Sequence, residues 1–172
     1  MFALGIDPGL SRCGYGAVRR AERGGLHAVA AGVITTPVHV ELSRRLAALL
    51  DELRILIREL RPEVVVVERV LFQANARTAM SVGQASGLAL AAAAEAGCAV
   101  VQYSPNEVKQ SVAGYGAATK EQVQRMVQSL LGLPERPRPP DTADALALAI
   151  CHLTGAPLRA AAAAAGGPGS TP

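Results

Sequence analysis

Short apolar runs alternate along the chain with turn signals and with longer segments of helical spacing. Five runs predict strands, at Phe2–Asp7, Gly14–Arg19, Leu26–Thr35, Glu63–Glu68 and Cys98–Tyr103. The first three follow one another closely, as expected of an antiparallel meander. The fourth run is short and rich in valine, which is typical of a parallel strand that is buried on both faces.

The other periodic segments predict helices. Leu42–Leu60 has apolar residues at helical spacing and charged residues on its opposite face, and the Ala-rich segment Ala74–Ala96 is also expected to be helical. Two capping boxes, which begin at Ser104 and Thr119, mark the starts of two further helices. Asp141 begins the last predicted helix.

The order of these elements predicts an α/β fold with a mixed five-stranded sheet flanked by helices. A crossover through Leu42–Leu60 would make Phe2–Asp7 and Glu63–Glu68 parallel neighbours. It would also bring their carboxyl ends to the same edge of the sheet, where such folds bind ligands. We expect one domain over residues 1–155 and a disordered tail of Ala, Gly and Pro at residues 156–172.

Composition narrows the setting in which the chain works. Its 172 residues carry a net charge of +3 and a pI near 9.0, which permits a polyanionic partner. The longest apolar stretch, Leu88 to Ala94, is too short to span a membrane, and the first residues lack the features of a signal peptide. We therefore expect a cytoplasmic protein with no membrane partner. Cys13, Cys98 and Cys151 show no C-x-x-C spacing and are interpreted as small buried apolar residues.

Three of the four aspartates and one glutamate stand where a single metal site could collect them. Asp7 and Glu68 end predicted strands, and Asp141 and Asp144 lie three residues apart on one face of the last helix. Carboxylates suit Mg²⁺ or Mn²⁺, whereas the histidines lack the spacing of zinc ligands. Two such ions about 3.5–4 Å apart can activate water and stabilise a leaving phosphate oxygen. Metal-assisted phosphodiester hydrolysis is therefore the expected class of reaction.

Three of the four acids also have a purely structural interpretation. Asp7 could end its strand in a simple Asp-Pro-Gly turn, and Asp141 could be only an N-cap residue. Glu68 could pair with Arg69 or with another nearby Arg. The joint placement of the acids favours the functional interpretation.

The basic residues are unevenly chosen, because 15 are Arg and only two are Lys. Both lysines, Lys109 and Lys120, fall in one short segment. A chain that otherwise uses Arg can keep Lys where a compact point charge is needed.

Seven motifs together resemble one protein family. They are Gly5-Ile-Asp-Pro-Gly9, Gly14-Tyr-Gly16, Val67-Glu-Arg-Val70, Gly83-Gln-Ala85, Val108-Lys-Gln110, Lys120-Glu-Gln-Val123 and Asp141-Thr-Ala-Asp-Ala-Leu-Ala147. In this order, from about residue 2 to residue 155, they are similar to the motifs of the RuvC Holliday-junction resolvases. The resemblance implies a ribonuclease H-like fold and a homodimeric endonuclease that resolves four-way DNA junctions by paired symmetric nicks in recombination and repair.

The resemblance also implies the site and its partners. The metal ligands would be Asp7, Glu68, Asp141 and Asp144, with Lys120 as a further catalytic residue. The cofactor would be Mg²⁺, at two ions per site, and Mn²⁺ could replace it. A branch-migration complex of the RuvAB type would be a protein partner.

Contacts with DNA are expected around this site. The family carries an aromatic residue that stacks at the junction centre, and here that position is Leu71, followed by Phe72. Either residue could act there, or Phe72 could pack under the next helix. Further candidates for DNA contact are Arg69, Arg77, Lys109, Tyr115, Lys120 and Arg125. Any one of these could instead be an ordinary surface residue.

The helix Ala74–Ala96 is a candidate dimer interface, because Ala and Gly permit close helix contact. It could equally pack only on its own sheet. Three other functions remain open at this point. The first is a phosphate-binding turn of the sugar-kinase type at Asp7-Pro-Gly9, the second a non-catalytic junction-binding module, and the third an RNA-processing nuclease of the same fold.

Overall fold

The computed structural model of the protein describes residues 1–22, 24–69 and 76–165. Its elements in chain order are β1 (Phe2–Asp7), β2 (Arg12–Arg20), β3 (Leu26–Thr35), α1 (Leu42–Leu60), β4 (Val64–Glu68), α2 (Ala76–Glu95), β5 (Ala99–Tyr103), α3 (Pro105–Ala113), α4 (Lys120–Leu130) and α5 (Pro140–Ala165). The five strands form one sheet in the order β3-β2-β1-β4-β5. The predicted mixed five-stranded sheet is confirmed.

Strand pairing follows the expected crossover. β1 pairs antiparallel with β2, which pairs antiparallel with β3, so the first three strands form the meander. β1 and β4 are parallel, and β4 and β5 are parallel. The carboxyl ends of β1, β4 and β5 therefore share one edge of the sheet.

Helices cover both faces of the sheet. Side chains alternate along β1, so that Leu4 and Ile6 pack in the core that contains α1 and α2. Ala3 faces the opposite core, which contains α3, α4 and α5. The alternation continues in β4, where Val65 packs with α1 and α2 and Val66 packs with α5.

Most of the predicted boundaries agree with the structure to within two residues. Both capping boxes are present, at Ser104 and Thr119, with each hydroxyl accepting a backbone N–H three residues on. The expected disordered tail differs from the structure over residues 156–165, which continue α5. Alanine has the lowest free-energy cost of any residue in a helix, so this Ala-rich stretch extends the helix. Residues 166–172 lie outside the described part of the chain.

Glycines let α5 lie unusually close to the sheet. A Cβ atom added to Gly5 would stand 2.0 Å from the backbone oxygen of Ala145 in α5. One added to Gly14 would stand 2.3 Å from the backbone oxygen of Asp141. Only residues without a side chain fit at these positions, so the start of α5 rests directly on β1 and β2. None of the helices in the described ranges is long and apolar enough to cross a membrane.

Candidate active site

Two acids lie at the adjacent ends of β1 and β4. Ile6 is paired with Val67, so Asp7 and Glu68 occupy the next pair of positions in the parallel register. Strand alternation points both side chains toward the face covered by α5. The crossover argument from the sequence is therefore confirmed for these two residues.

The other two acids come from the first turns of α5. Asp141 lies over Gly14, which is the β2 residue paired with Asp7. Asp144 lies three residues further on and faces the same side of the helix. The close contact between α5 and the glycines of β1 and β2 thus brings the helical acids to the strand acids.

A cavity of about 350 Å³ opens at this edge of the sheet. Its walls are formed by Asp7, Glu68, Pro105, Val108, Lys109, Lys120, Val123, Asp144, Ala147 and Leu148. Both lysines of the chain therefore lie with three of the predicted acids. Asp141 stands outside this lining, and its side chain remains partly exposed.

Lys120 neutralises part of the acidic charge. Its Nζ atom lies 2.6 Å from Oδ2 of Asp144. The capping box at Thr119 fixes the first turn of α4, and Lys120 is the first residue of that turn. The hydrogen bond with Asp144 raises the pKa of Lys120 against the opposing effect of burial, so the ammonium group stays charged.

The fold disfavours ionisation of the acids in the cavity. Burial and the charges of the other three acids raise the pKa of Asp7 to about 7, and Lys120 offsets only part of this shift. Burial and the charge of Asp144 raise the pKa of Glu68. Burial also raises the pKa of Asp144, although its hydrogen bond with Lys120 acts in the opposite direction. A cation that entered the cavity would relieve this repulsion.

Asp141 has a different environment, because Arg12 binds it. Nη2 of Arg12 donates to Oδ2 of Asp141 at 2.8 Å, and Nε donates to the same oxygen at 3.2 Å. Burial raises the pKa of Asp141, but the Arg12 hydrogen bonds and charge outweigh it, and the pKa is lowered overall. Sequence reasoning missed Arg12. The pairing of β1 with β2 could have suggested it, since Arg12 lies two residues before Gly14 on the same strand face.

The donor set fits a divalent cation, although the side chains are not arranged around one. In the described ranges, no group of three His, Cys, Asp or Glu side chains could hold a metal ion as it stands. Two of the acids, Asp141 and Asp144, instead turn toward Arg12 and Lys120. Carboxylate oxygens are the ligands that Mg²⁺ and Mn²⁺ prefer, and a cation would offset the repulsion from the other acids that, together with burial, raises the pKa of Asp7.

The residues predicted to contact DNA lie in different places relative to the acidic cavity. Lys109 and Lys120 line the acidic cavity. Arg69 directly follows Glu68 and is exposed, with Nη2 donating to the backbone oxygen of Gln102 at 3.2 Å. Tyr115 is exposed and shares a separate surface groove with Arg125. Leu71, Phe72 and the side chain of Arg77 lie outside the described residues.

Two of the structural interpretations of the acids are wrong. Asp141 is not an N-cap residue, because α5 begins at Pro140 and Asp141 lies within its first turn. Glu68 does not pair with Arg69, whose guanidinium points to Gln102 and lies 4.0 Å from Glu107. The three cysteines form no disulfide with one another, and Cys13 and Cys151 are buried, as expected of apolar residues.

A ribonuclease H-like sheet with carboxylates at the ends of its central strands defines a metal-dependent nuclease. Residues 3–152 match the family model described as "Crossover junction endodeoxyribonuclease RuvC". The chain belongs to the RuvC family.

Relatives and solved structures agree with this assignment. The chain is 53% identical to the RuvC protein of Moorella thermoacetica over 92% of its length and 95% of that protein. It is 49% identical to the RuvC protein of Frankia casuarinae over 98% of its length and 99% of that protein. A structure titled "T. thermophilus RuvC in complex with Holliday junction substrate" matches with a TM-score of 0.83 and 35% identity, covering 92% of this chain and 96% of that one.

Proposed function

We propose that this chain is a Holliday-junction resolvase that cuts two strands of a four-way DNA junction by symmetric nicks, in recombination and DNA repair. The observation that carries the proposal is the convergence of acids from β1, β4 and α5 on one cavity that also contains both lysines. The junction complex of the Thermus thermophilus relative supports the choice of substrate.

Mg²⁺ is the proposed cofactor, at two ions per site, and Mn²⁺ can replace it. Asp7, Glu68, Asp141 and Asp144 would hold the ions. Two such ions would supply the means to activate water and to stabilise the leaving oxygen of the phosphodiester. The donor chemistry supports this choice, since four carboxylates offer hard oxygen ligands and no thiolate or imidazole.

The lysines have separate proposed tasks. Lys120 holds Asp144 in the free protein and offers its ammonium group to the phosphate at the cleavage point. Lys109, which also lines the cavity, binds a neighbouring phosphate. Arg69, Arg77 and Tyr115 are proposed to contact the DNA outside the cavity. Leu71 or Phe72 acts at the junction centre, and the substitutions Leu71→Ala and Phe72→Ala would distinguish the two.

A homodimer would supply the second active site that paired nicking needs. Helix α2 packs on its own sheet through Ala85 and Ala89, as one of the two interpretations expected. Its Gly83 and Gly87 lie one turn apart and face open space as far as the described residues extend, and Met80 is exposed nearby. This open face supports α2 as the dimer contact. A RuvAB-type branch-migration complex is the proposed protein partner, in the cytoplasm.

The substitution Asp7→Asn tests the proposal. We expect it to reduce nicking of a synthetic four-way junction in Mg²⁺ by at least about a hundredfold while junction binding persists, because it removes a ligand oxygen's charge at the end of β1. Cleavage is followed on a denaturing gel and binding by mobility shift. The exposed residue Asp51 supplies the control Asp51→Asn. Cleavage at the wild-type rate by Asp7→Asn would refute the site.

The same assays separate the competing functions. Binding without nicks by the wild-type chain would favour a non-catalytic module. Faster cleavage of structured RNA than of junction DNA would favour an RNA-processing nuclease. The kinase interpretation is not supported, because the RuvC family model covers residues 3–152.

A further inference from the structure

Arg12 lies where the metal site and the β1–β2 loop meet. It is the first residue of β2, and Gly14, two residues later, faces the same side of the strand. Asp141 rests against Gly14, with a distance of 3.1 Å from its Cβ to a Cβ added at that glycine. The Asp141 carboxylate therefore lies within reach of the Arg12 side chain.

The loop residue just before Arg12 is held by two hydrogen bonds. The backbone N–H of Thr36 donates to the backbone oxygen of Ser11 at 3.2 Å. Nη2 of Arg45 donates to the Ser11 hydroxyl at 2.7 Å. These bonds tie the residue before Arg12 to the end of β3 and to the start of α1. The position of Arg12 is thus built into the fold, although its side chain is 49% exposed.

The guanidinium occupies one oxygen of Asp141. Two of its nitrogens, Nη2 and Nε, donate to Oδ2, at 2.8 Å and 3.2 Å. Charge-assisted hydrogen bonds of this length are among the stronger polar contacts in proteins. Together with the Lys120–Asp144 pair, they leave each helical acid of the site paired with a basic side chain.

We infer that Arg12 is a resident counter-ion for Asp141 that gives way when a divalent cation binds to the acidic cavity. The inference rests on the metal site proposed above. In the metal-free protein the guanidinium offsets the repulsion between Asp141 and the other acids. Once a cation supplies that charge, Arg12 adds repulsion toward the cation and holds an oxygen that the cation would take. Arg12 therefore weakens metal binding while it stabilises the empty site.

Metal affinity of the full chain without DNA tests this role. The probe is Mn²⁺, titrated into purified protein and followed by the electron paramagnetic resonance signal of the free ion. We expect Arg12→Gln to bind Mn²⁺ about threefold to tenfold more tightly than the wild type. The wild type must break its half-exposed Arg12–Asp141 ion pair when the ion binds, and the variant has no such pair to break. Arg12→Lys should fall between the two.

Arg58 provides a matched control. It is exposed in the last turn of α1, which leads into the start of β4. The site lies at the other end of β4, so Arg58→Gln removes one positive charge far from it. Its Mn²⁺ affinity should equal that of the wild type. If Arg12→Gln binds Mn²⁺ no more tightly than Arg58→Gln, the inference is wrong. If Asp7→Asn keeps the wild-type affinity, the metal site itself is misassigned, whatever Arg12 does.

A second measurement needs no variant. The Nε proton of Arg12 should exchange slowly with water in metal-free wild-type protein, because it is hydrogen-bonded to Asp141. Titration with diamagnetic Mg²⁺ should speed this exchange in proportion to site occupancy, as measured by side-chain nitrogen resonances. Protection that persists at saturating Mg²⁺ would show that the pair survives metal binding and would overturn the inference, even if Arg12→Gln did not fold.

Discussion

The Asp7 carboxyl lies at the end of β1 beside three other acids, and the fold resists its ionisation. Its pKa is raised from 3.8 to about 7, chiefly by burial and then by the charges of the other acids. An acid that is held at a cost to stability, inside a cavity with two lysines, is typical of a functional site rather than of a strand-ending turn. The interpretation of Asp7 as a simple turn residue explains neither its burial nor the charged groups around it.

Asp7→Asn should therefore stabilise the protein when no metal is present. A pKa that is higher in the folded state than in the unfolded state means that stability falls as pH rises from about 4 to about 7. At pH 8 in EDTA the ionised Asp7 bears the full penalty, and the asparagine variant should melt on the order of 5 °C higher than the wild type. The difference should shrink toward pH 4. Melting is followed by circular dichroism.

The exposed Asp51 again gives the control, because Asp51→Asn removes a charge without a comparable burial. Two outcomes would contradict the electrostatic account. One is an Asp7→Asn variant that melts at a lower temperature than the wild type at pH 8, and the other is a difference in melting temperature that does not change with pH.

At the scale of elements, the site depends on how closely α5 approaches the sheet. Two strand glycines, Gly5 and Gly14, contact the backbone of α5 directly. In sequence they belong to two family motifs and to two predicted strands, and neither pattern predicts helix contact. The contact arises from the pairing of β1 with β2, which sets both glycines under one helix. The helical acids owe their position to these missing side chains.

Gly14→Ala should displace the start of α5. The added Cβ would meet the backbone oxygen of Asp141 at 2.3 Å, and a backbone clash cannot be relieved by a rotamer change. We expect a loss of about 1–3 kcal/mol in unfolding free energy and at least a tenfold weaker affinity for Mn²⁺. Urea denaturation and metal titration measure the two effects.

Gly116→Ala is the control for that substitution, since its added Cβ would meet only the backbone oxygen of Asn106, at 3.9 Å. Equal metal affinity in the two alanine variants would show that α5 does not need its close contact with β2 to build the site.

At the scale of the whole molecule, paired cutting requires a second copy of the site. A Cβ added at Gly83 or Gly87 of α2 would meet no atom within 4 Å among the described residues. Met80, on the same helix, is 66% exposed. A large exposed apolar side chain beside an open helix face is consistent with a partner subunit there.

Met80→Glu should therefore dissociate the proposed dimer. A buried glutamate without a partner is costly at an apolar contact, so we expect monomers at micromolar concentration where the wild type is dimeric. Light scattering coupled to size exclusion measures the mass. The matched control is Met126→Glu on α4, where the methionine is 38% exposed. A dimer that survives Met80→Glu, or a monomeric wild type, would refute α2 as the contact.

The sequence by itself determined the elements and the family of this protein. Apolar periodicity, capping boxes and β-branched runs are local signals, so the five strands and the capped helices could be predicted closely. The motifs likewise pointed to four acids and two lysines, and all of these except Asp141 line one cavity. Prediction was poorer at residues 156–165, where low complexity was interpreted as disorder while the alanines continue α5.

Only the tertiary structure decided how the acids are held. Which basic side chain pairs with which acid depends on residues that are far apart in the chain, such as Arg12 and Asp141. No local sequence pattern encodes contacts between such distant residues. The shift in the Asp7 pKa likewise arises from burial and from charges on three different elements. Local propensity specifies the parts of this molecule, and packing of α5 on the sheet sets the electrostatics of its site.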